Sequence, residues 1–233
     1  MHSDDFRDLE WMLDANLDVT KVPRFIVVEG PIGVGKTTLT KRLATTFNYE
    51  ALLERPEDNP FLERFYRDRR NAALPTQLFF LFERARYIQE LRQGELFEPV
   101  RVADFLIEKD RLFAQVNLDA DEMKLYENIY AHVVVDCPVP DLVIYLQAPV
   151  EVLMDRIARR GVELERNIEK EYLRDLIDAY TEFFHYYDVA PLLIVNATDI
   201  DLANSEQDYQ QLIKYLLEAR AGRHYFNPKP SIL

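Results

Sequence analysis

The chain has 233 residues, room for one large domain or two small ones, and 48% of them are hydrophobic, enough for a sizeable core. A formal net charge of −13 argues against nucleic acid and anionic membrane as partners, because both reward positive charge. One cysteine, Cys137, excludes an intrachain disulfide, and the acidic start (Asp4, Asp5, Asp8, Glu10) lacks the basic residues of a signal peptide; together they predict a cytosolic protein.

No apolar run approaches the roughly 20 residues that span a bilayer. His2, His132, His185 and His224 show no metal-ligand spacing, and there are no repeats. Residues 1–22 form an N-terminal extension whose apolar residues, Phe6, Leu9, Trp11, Leu13 and Leu17, are irregularly spaced and suit a short packing helix or an ordered arm. A strand is predicted over about 24–29, through Phe25-Ile26-Val27-Val28. It exits into Gly30-Pro31-Ile32-Gly33-Val34-Gly35-Lys36-Thr37-Thr38, the strand–loop–helix setting of a P-loop. Glycine lets several N–H groups point into one concavity, where they and the helix N-terminus bind phosphate. Lys36 can reach the outer phosphates, and Thr37 can offer its hydroxyl to Mg2+. The helix over about 35–47 carries Leu39, Leu43 and Phe47 at spacings of four.

The next apolar run, Ala51-Leu52-Leu53, ends in Glu54, a residue of either a solvated turn or the ligand side of a parallel sheet. Phe61–Arg70 reads as a short helix, and Pro75 as the start of a longer one over about 76–92, apolar nearly all round. Gln77 and Arg84 share a face of it and need buried partners, from nearby backbone or from a ligand. A strand over 100–107 ends in Glu108-Lys109-Asp110-Arg111, which makes Glu108 an outer Mg2+ partner; Asp136, after three valines, competes for that role but reads better as a capping residue. Leu142–Leu146 is a buried strand, and Pro149 and Gly161 frame a helix over about 149–160. Its arginines, Arg156, Arg159 and Arg160, either complement the helix dipole or form a cationic lid. An amphipathic helix over 168–188, a strand over 191–195, a helix over 205–220 and an irregular tail over 221–233 complete the chain. Asn196-Ala197-Thr198-Asp199 lacks the lysine of a guanine-specificity loop.

The P-loop, Glu54, the stretch Asn59-Pro60-Phe61-Leu62-Glu63-Arg64-Phe65-Tyr66, Gln77 with Arg84, the Glu108 cluster, and Arg160-Gly161 before Glu165 together resemble the deoxynucleoside kinase family, over about residues 24–218. The Asn59–Tyr66 stretch is most similar to the bacterial deoxyadenosine and deoxyguanosine kinases. The resemblance implies an α/β P-loop kinase fold. Its parallel sheet would have about five strands with helices on both faces. The domain would run over 23–220 and carry a helical lid over about 156–167. It implies ATP- and Mg2+-dependent phosphorylation of a deoxynucleoside 5′-hydroxyl. Gly30 to Thr38, Arg156 and Arg160 would hold the donor triphosphate, Asp208-Tyr209 the donor base, and Thr37 with Glu108 the metal. Glu54 would be the general base, assisted in catalysis by Lys36 and the two lid arginines. Gln77 would bind the nucleobase with Arg84 flanking it, and Tyr66 and Glu165 would hold the sugar 3′-hydroxyl. Family members are commonly homodimers, and the helices at 76–92 and 121–135 are the candidate interface.

Three positions depart from the family. Lys109 stands for an arginine and loses its planar fork. Val162 replaces a lid arginine, and Ala114 an acid found in some purine- and cytosine-preferring relatives. Pyrimidine or broad specificity therefore stays open. So do a nucleoside-monophosphate kinase, which needs cations for a second phosphate, and a P-loop switch ATPase or GTPase, which needs movable switch loops and a water-positioning residue.

Overall fold

In the computed structural model, which describes residues 18–93, 100–133, 137–219 and 221–227, strand β1 (Phe25–Glu29) lies inside a six-stranded parallel sheet. The order is β2 (Glu50–Leu52), β3 (Arg101–Ala103), β1, β4 (Leu142–Gln147), β5 (Leu192–Asn196) and β6 (Arg223–Phe226). Between the strands run α1 (Lys36–Phe47), α2 (Leu62–Arg67), α3 (Arg69–Gln93), α4 (Lys109–Asn117), α5 (Ala120–Val133), α6 (Val150–Arg160), α7 (Lys170–Tyr186) and α8 (Glu206–Glu218).

The chain leaves β1 toward β2 on one side and later adds β4 to β6 on the other. That reversal opens a crevice at the carboxyl ends of the strands, where α/β sheets bind ligands. Register then sets the crevice walls. Val27 lies opposite both Ala103 and Val143, so Asp104, the next residue after β3, emerges beside the end of β1.

Strands β4 and β5 are buried along nearly their whole length, as parallel strands covered on both faces are. Leu39 and Leu43 of α1 enter the main core, and Tyr145 of β4 stacks on Phe184 of α7 with ring centroids 4.2 Å apart. A second apolar cluster, Leu81, Ala114, Tyr126 and Tyr130, locks α3, α4 and α5 together.

The sheet has one strand more than expected. Residues 223–226 leave the predicted irregular tail to pair in parallel with β5, Leu192 opposite Arg223. Strand β3 is shorter than the apolar run suggested: the Leu106 N–H turns away from the sheet to a carboxylate oxygen of Glu29, 2.7 Å off. Helix α3 begins at Arg69 and runs through Pro75. A proline there forfeits one main-chain hydrogen bond but does not stop the helix when packing holds both sides. Residues 1–17, Asp136 and 228–233 lie outside the described residues.

Candidate active site

Glycine makes the phosphate cradle. At Gly30, φ is +147° and a Cβ would stand 2.5 Å from the Leu146 carbonyl oxygen; at Gly33, φ is +84° and a Cβ would meet Ile157 at 2.7 Å. No other residue lets the loop curl this closely against β4 and α6. Lys36, at the start of α1, donates from Nζ to the Gly30 and Pro31 carbonyls at 2.8 and 3.2 Å. Burial and the like charge of Lys109 lower its pKa to about 8, against the pull of Glu29, Glu54 and Asp104. An amine held this way is primed for anionic phosphates. The loop, the lysine and the neighbouring hydroxyl therefore fit a nucleoside triphosphate.

The Thr37 hydroxyl donates to Asp104 Oδ2 at 2.6 Å, and Asp104 Oδ1 accepts the Glu54 N–H at 2.7 Å. One aspartate thus ties the P-loop hydroxyl to the backbone of Glu54. A hydroxyl against a carboxylate at the mouth of the loop suits Mg2+. Glu108, the expected metal partner, does not reach this place. It sits at the N-cap of α4 with a buried, unpartnered Oε2, and borders a different groove with Phe183 and Tyr186. Burial raises its carboxyl above the ordinary range.

Behind Asp104 runs a chain of alternating charges. Glu29, fully buried, accepts from the Gly30 N–H at 3.0 Å, the Leu106 N–H at 2.7 Å and the Tyr180 hydroxyl at 3.0 Å. Lys109 lies between carboxylates, 3.2 Å from Glu29 and 3.0 Å from Glu54. Arg84 Nε donates to the other oxygen of Glu54 at 2.6 Å, and the same guanidinium pairs with Asp110. Burial alone would raise the Glu54 carboxyl, but the charges of Arg84 and Lys109 outweigh it and bring the pKa down to about 2. Asp110, also fully buried, accepts from Gln77 Nε2 at 2.6 Å and from the Tyr126 hydroxyl at 2.7 Å.

Glu54, Tyr66, Gln77, Arg84, Arg160 and Glu165 border one cavity, together with Lys36, Thr37 and Asp104. Tyr66 is kept protonated, because burial, then the nearby Tyr172 and Glu165, raise its phenol well above the ordinary value. Arg160 pairs with Glu165 at the rim. Arg156 stands elsewhere: it donates to the Val34 carbonyl at 3.3 Å and the Ala197 carbonyl at 2.6 Å, tying the P-loop to the turn after β5. The two expected donor-base residues make contacts within the chain. Tyr209 is 2% exposed and donates to Thr46 Oγ1 at 2.7 Å beneath Arg42, and Asp208 accepts the Asp201 N–H at 3.1 Å.

Glu29, Asp104 and Asp110 are the site residues the sequence reading missed. Glu29 adjoins Gly30 and Asp110 adjoins Lys109, whereas Asp104 lies four positions before Glu108. The predicted strand over 100–107 put Asp104 inside it, and only the short observed β3 sets this residue at a strand's carboxyl end.

A family model described as deoxynucleoside kinase matches residues 26–219. Deoxyguanosine kinase of Bacillus subtilis (strain 168) is 32% identical over 203 residues, covering 83% of this chain and 96% of that protein. The deoxyadenosine/deoxycytidine kinase of the same organism is also 32% identical, over 81% and 89%. A structure of deoxyadenosine kinase from M. mycoides with bound dCTP superposes with a TM-score of 0.72 at 26% identity, over 83% of this chain and 99% of that one.

Proposed function

This chain belongs to the deoxynucleoside kinase family, and on that premise we propose that it transfers the ATP γ-phosphoryl group, with Mg2+, to the 5′-hydroxyl of a purine deoxynucleoside. Phosphorylation of a deoxynucleoside 5′-hydroxyl is the activity of the family; the purine, the donor and the metal are our reading. The observation that carries it is a single cavity bordered by phosphate-binding residues, Lys36 and Thr37, and by Glu54, Tyr66 and Gln77.

The P-loop amides and Lys36 hold the donor phosphates, and Thr37 with Asp104 holds the metal, which when bound offsets charge on the phosphate oxygens. Glu54 orients the acceptor alcohol and takes its proton late, as the bond to phosphorus forms. Arg84 and Lys109 fix both oxygens of that carboxylate. Tyr66 and Glu165 hold the 3′-hydroxyl, and Gln77 faces the base. Arg160, 46% exposed at its side chain, is placed to swing onto the transferred phosphoryl group, whereas Arg156 steadies the loop from behind. Residues 156–167 act as the lid, within a kinase domain that includes β6. The enzyme works in nucleoside salvage in the cytosol, in keeping with its one cysteine, as a homodimer through α3 and α5, which expose Phe82 and Leu125.

The test is turnover with the four deoxynucleosides and their 5′-monophosphates, with ATP and Mg2+. Highest kcat/KM for a purine deoxynucleoside is expected. Preference for a monophosphate, or nucleotide hydrolysis indifferent to any nucleoside, would end the reading.

A further inference from the structure

The cavity is bordered by two residues with polar atoms that nothing above uses. Thr76 precedes Gln77 on α3, is 4% exposed, and its hydroxyl has no partner. Asn117, at the end of α4, donates from Nδ2 to the Tyr172 hydroxyl at 3.3 Å, while its buried Oδ1 has no partner. Both residues border the nucleoside cavity. Buried polar atoms in native proteins are hydrogen-bonded, so orphans in a cavity mark where a ligand supplies the missing half.

The chemistry of these atoms is one-sided. Gln77 Nε2 donates to the Asp110 carbonyl at 2.9 Å and to Asp110 Oδ1 at 2.6 Å, which uses both amide hydrogens. Gln77 therefore turns only its carbonyl oxygen to the base. Asn117 likewise presents a carbonyl oxygen. Arg84 commits its guanidinium to Glu54 and Asp110. Among the residues bordering the cavity, Gln77 and Asn117 thus each bring an amide acceptor, and Thr76 brings a hydroxyl that can donate or accept. The complementary base edge is rich in N–H. Guanine carries a ring N–H beside an exocyclic amine, adenine and cytosine carry the amine alone, and thymine has one ring N–H and no amine.

Resting on the deoxynucleoside kinase reading, we infer that Asn117 is a specificity-determining residue whose Oδ1 accepts from the exocyclic amine of guanine, making deoxyguanosine the preferred substrate and thymidine the poorest. Thr76 completes the edge as the hydroxyl beside Gln77.

Deoxyinosine is deoxyguanosine without the 2-amino group, so the pair isolates this contact. The wild-type enzyme should favour deoxyguanosine over deoxyinosine by about tenfold in kcat/KM, the effect of one buried hydrogen bond. Asn117→Leu should abolish that ratio by raising KM for deoxyguanosine and leaving deoxyinosine almost unchanged. Asn117→Asp, which keeps an acceptor, should restore it. A thermal melt of each variant separates loss of contact from loss of fold. Equal losses on both substrates in a folded Asn117→Leu enzyme, or thymidine used as well as deoxyguanosine, would overturn the inference. A wild-type enzyme that phosphorylates no deoxynucleoside would instead overturn the premise.

Discussion

Glu54 works between two cations, and that arrangement sets what its removal does. Glu54→Gln keeps the shape but cannot accept the proton, so kcat should fall roughly 10^2–10^4-fold while KM for the nucleoside stays within a few-fold. Steady-state kinetics on the folded variant checks this. Lys109 belongs to the same account. Its ammonium helps hold the Glu54 carboxyl at about 2, far below the ordinary 4.5. Lys109→Met should therefore move the acid limb of the kcat/KM profile upward by about one unit or more. The sign for stability follows. With a folded pKa below the unfolded one, the pairing stabilises the protein fully above pH 4.5, and the contribution is lost as pH falls toward 2. The gap in urea midpoint between wild type and Glu54→Gln should narrow over that window. At this scale the sequence was legible wherever a residue's position depends on near neighbours in the chain, as with Lys36 and Thr37, which stand in the P-loop and border the cavity. It misled where the role depends on where a strand ends. Strand β3 stops at Ala103, so Asp104 rather than Glu108 meets the P-loop hydroxyl. Resemblance points Tyr209 at the donor base, but contact with α1, far away in sequence, buries it.

Among the elements, the P-loop is pressed between β4 and α6, and glycine is the condition for that contact. Gly30→Ala forces a Cβ against the Leu146 carbonyl oxygen, a backbone atom that cannot swing aside, at a φ of +147°. It should cost about 1–3 kcal/mol and weaken donor binding more than nucleoside binding. Denaturant melts and nucleotide titration measure the two effects. Helices with clear amphipathic period, such as α7, were legible to within a residue or two. So were the frame of α6, Pro149 and Gly161, which recur as its N- and C-caps. Helix α3 was not: being apolar all round it gives no face, and Pro75 looked like a start although the helix runs through it. The four-residue β6 holds His224 and an exposed Tyr225, and pairing with β5 rather than an apolar pattern makes it a strand.

At the scale of the whole molecule, order β2-β3-β1-β4-β5-β6 brings the P-loop residues Lys36 and Thr37 and the carboxylates Glu54 and Asp104 to one crevice. The exposed apolar residues Phe82, on α3, and Leu125, on α5, mark the face where two copies meet in our reading, each about half exposed. Phe82→Glu should convert a dimer to a monomer in sedimentation, with the far-ultraviolet spectrum unchanged; a monomeric wild type would refute the interface. The row Glu29–Lys109–Glu54–Arg84–Asp110 has a reach beyond any one of its members. Asp110 holds Gln77, which in our reading faces the nucleobase, and it shares Arg84 with Glu54, whose carboxyl that guanidinium lowers. Engineering this protein toward a new nucleobase by editing Asp110 would therefore alter its speed in the same stroke, and selectivity evolves independently of rate only through residues outside that row.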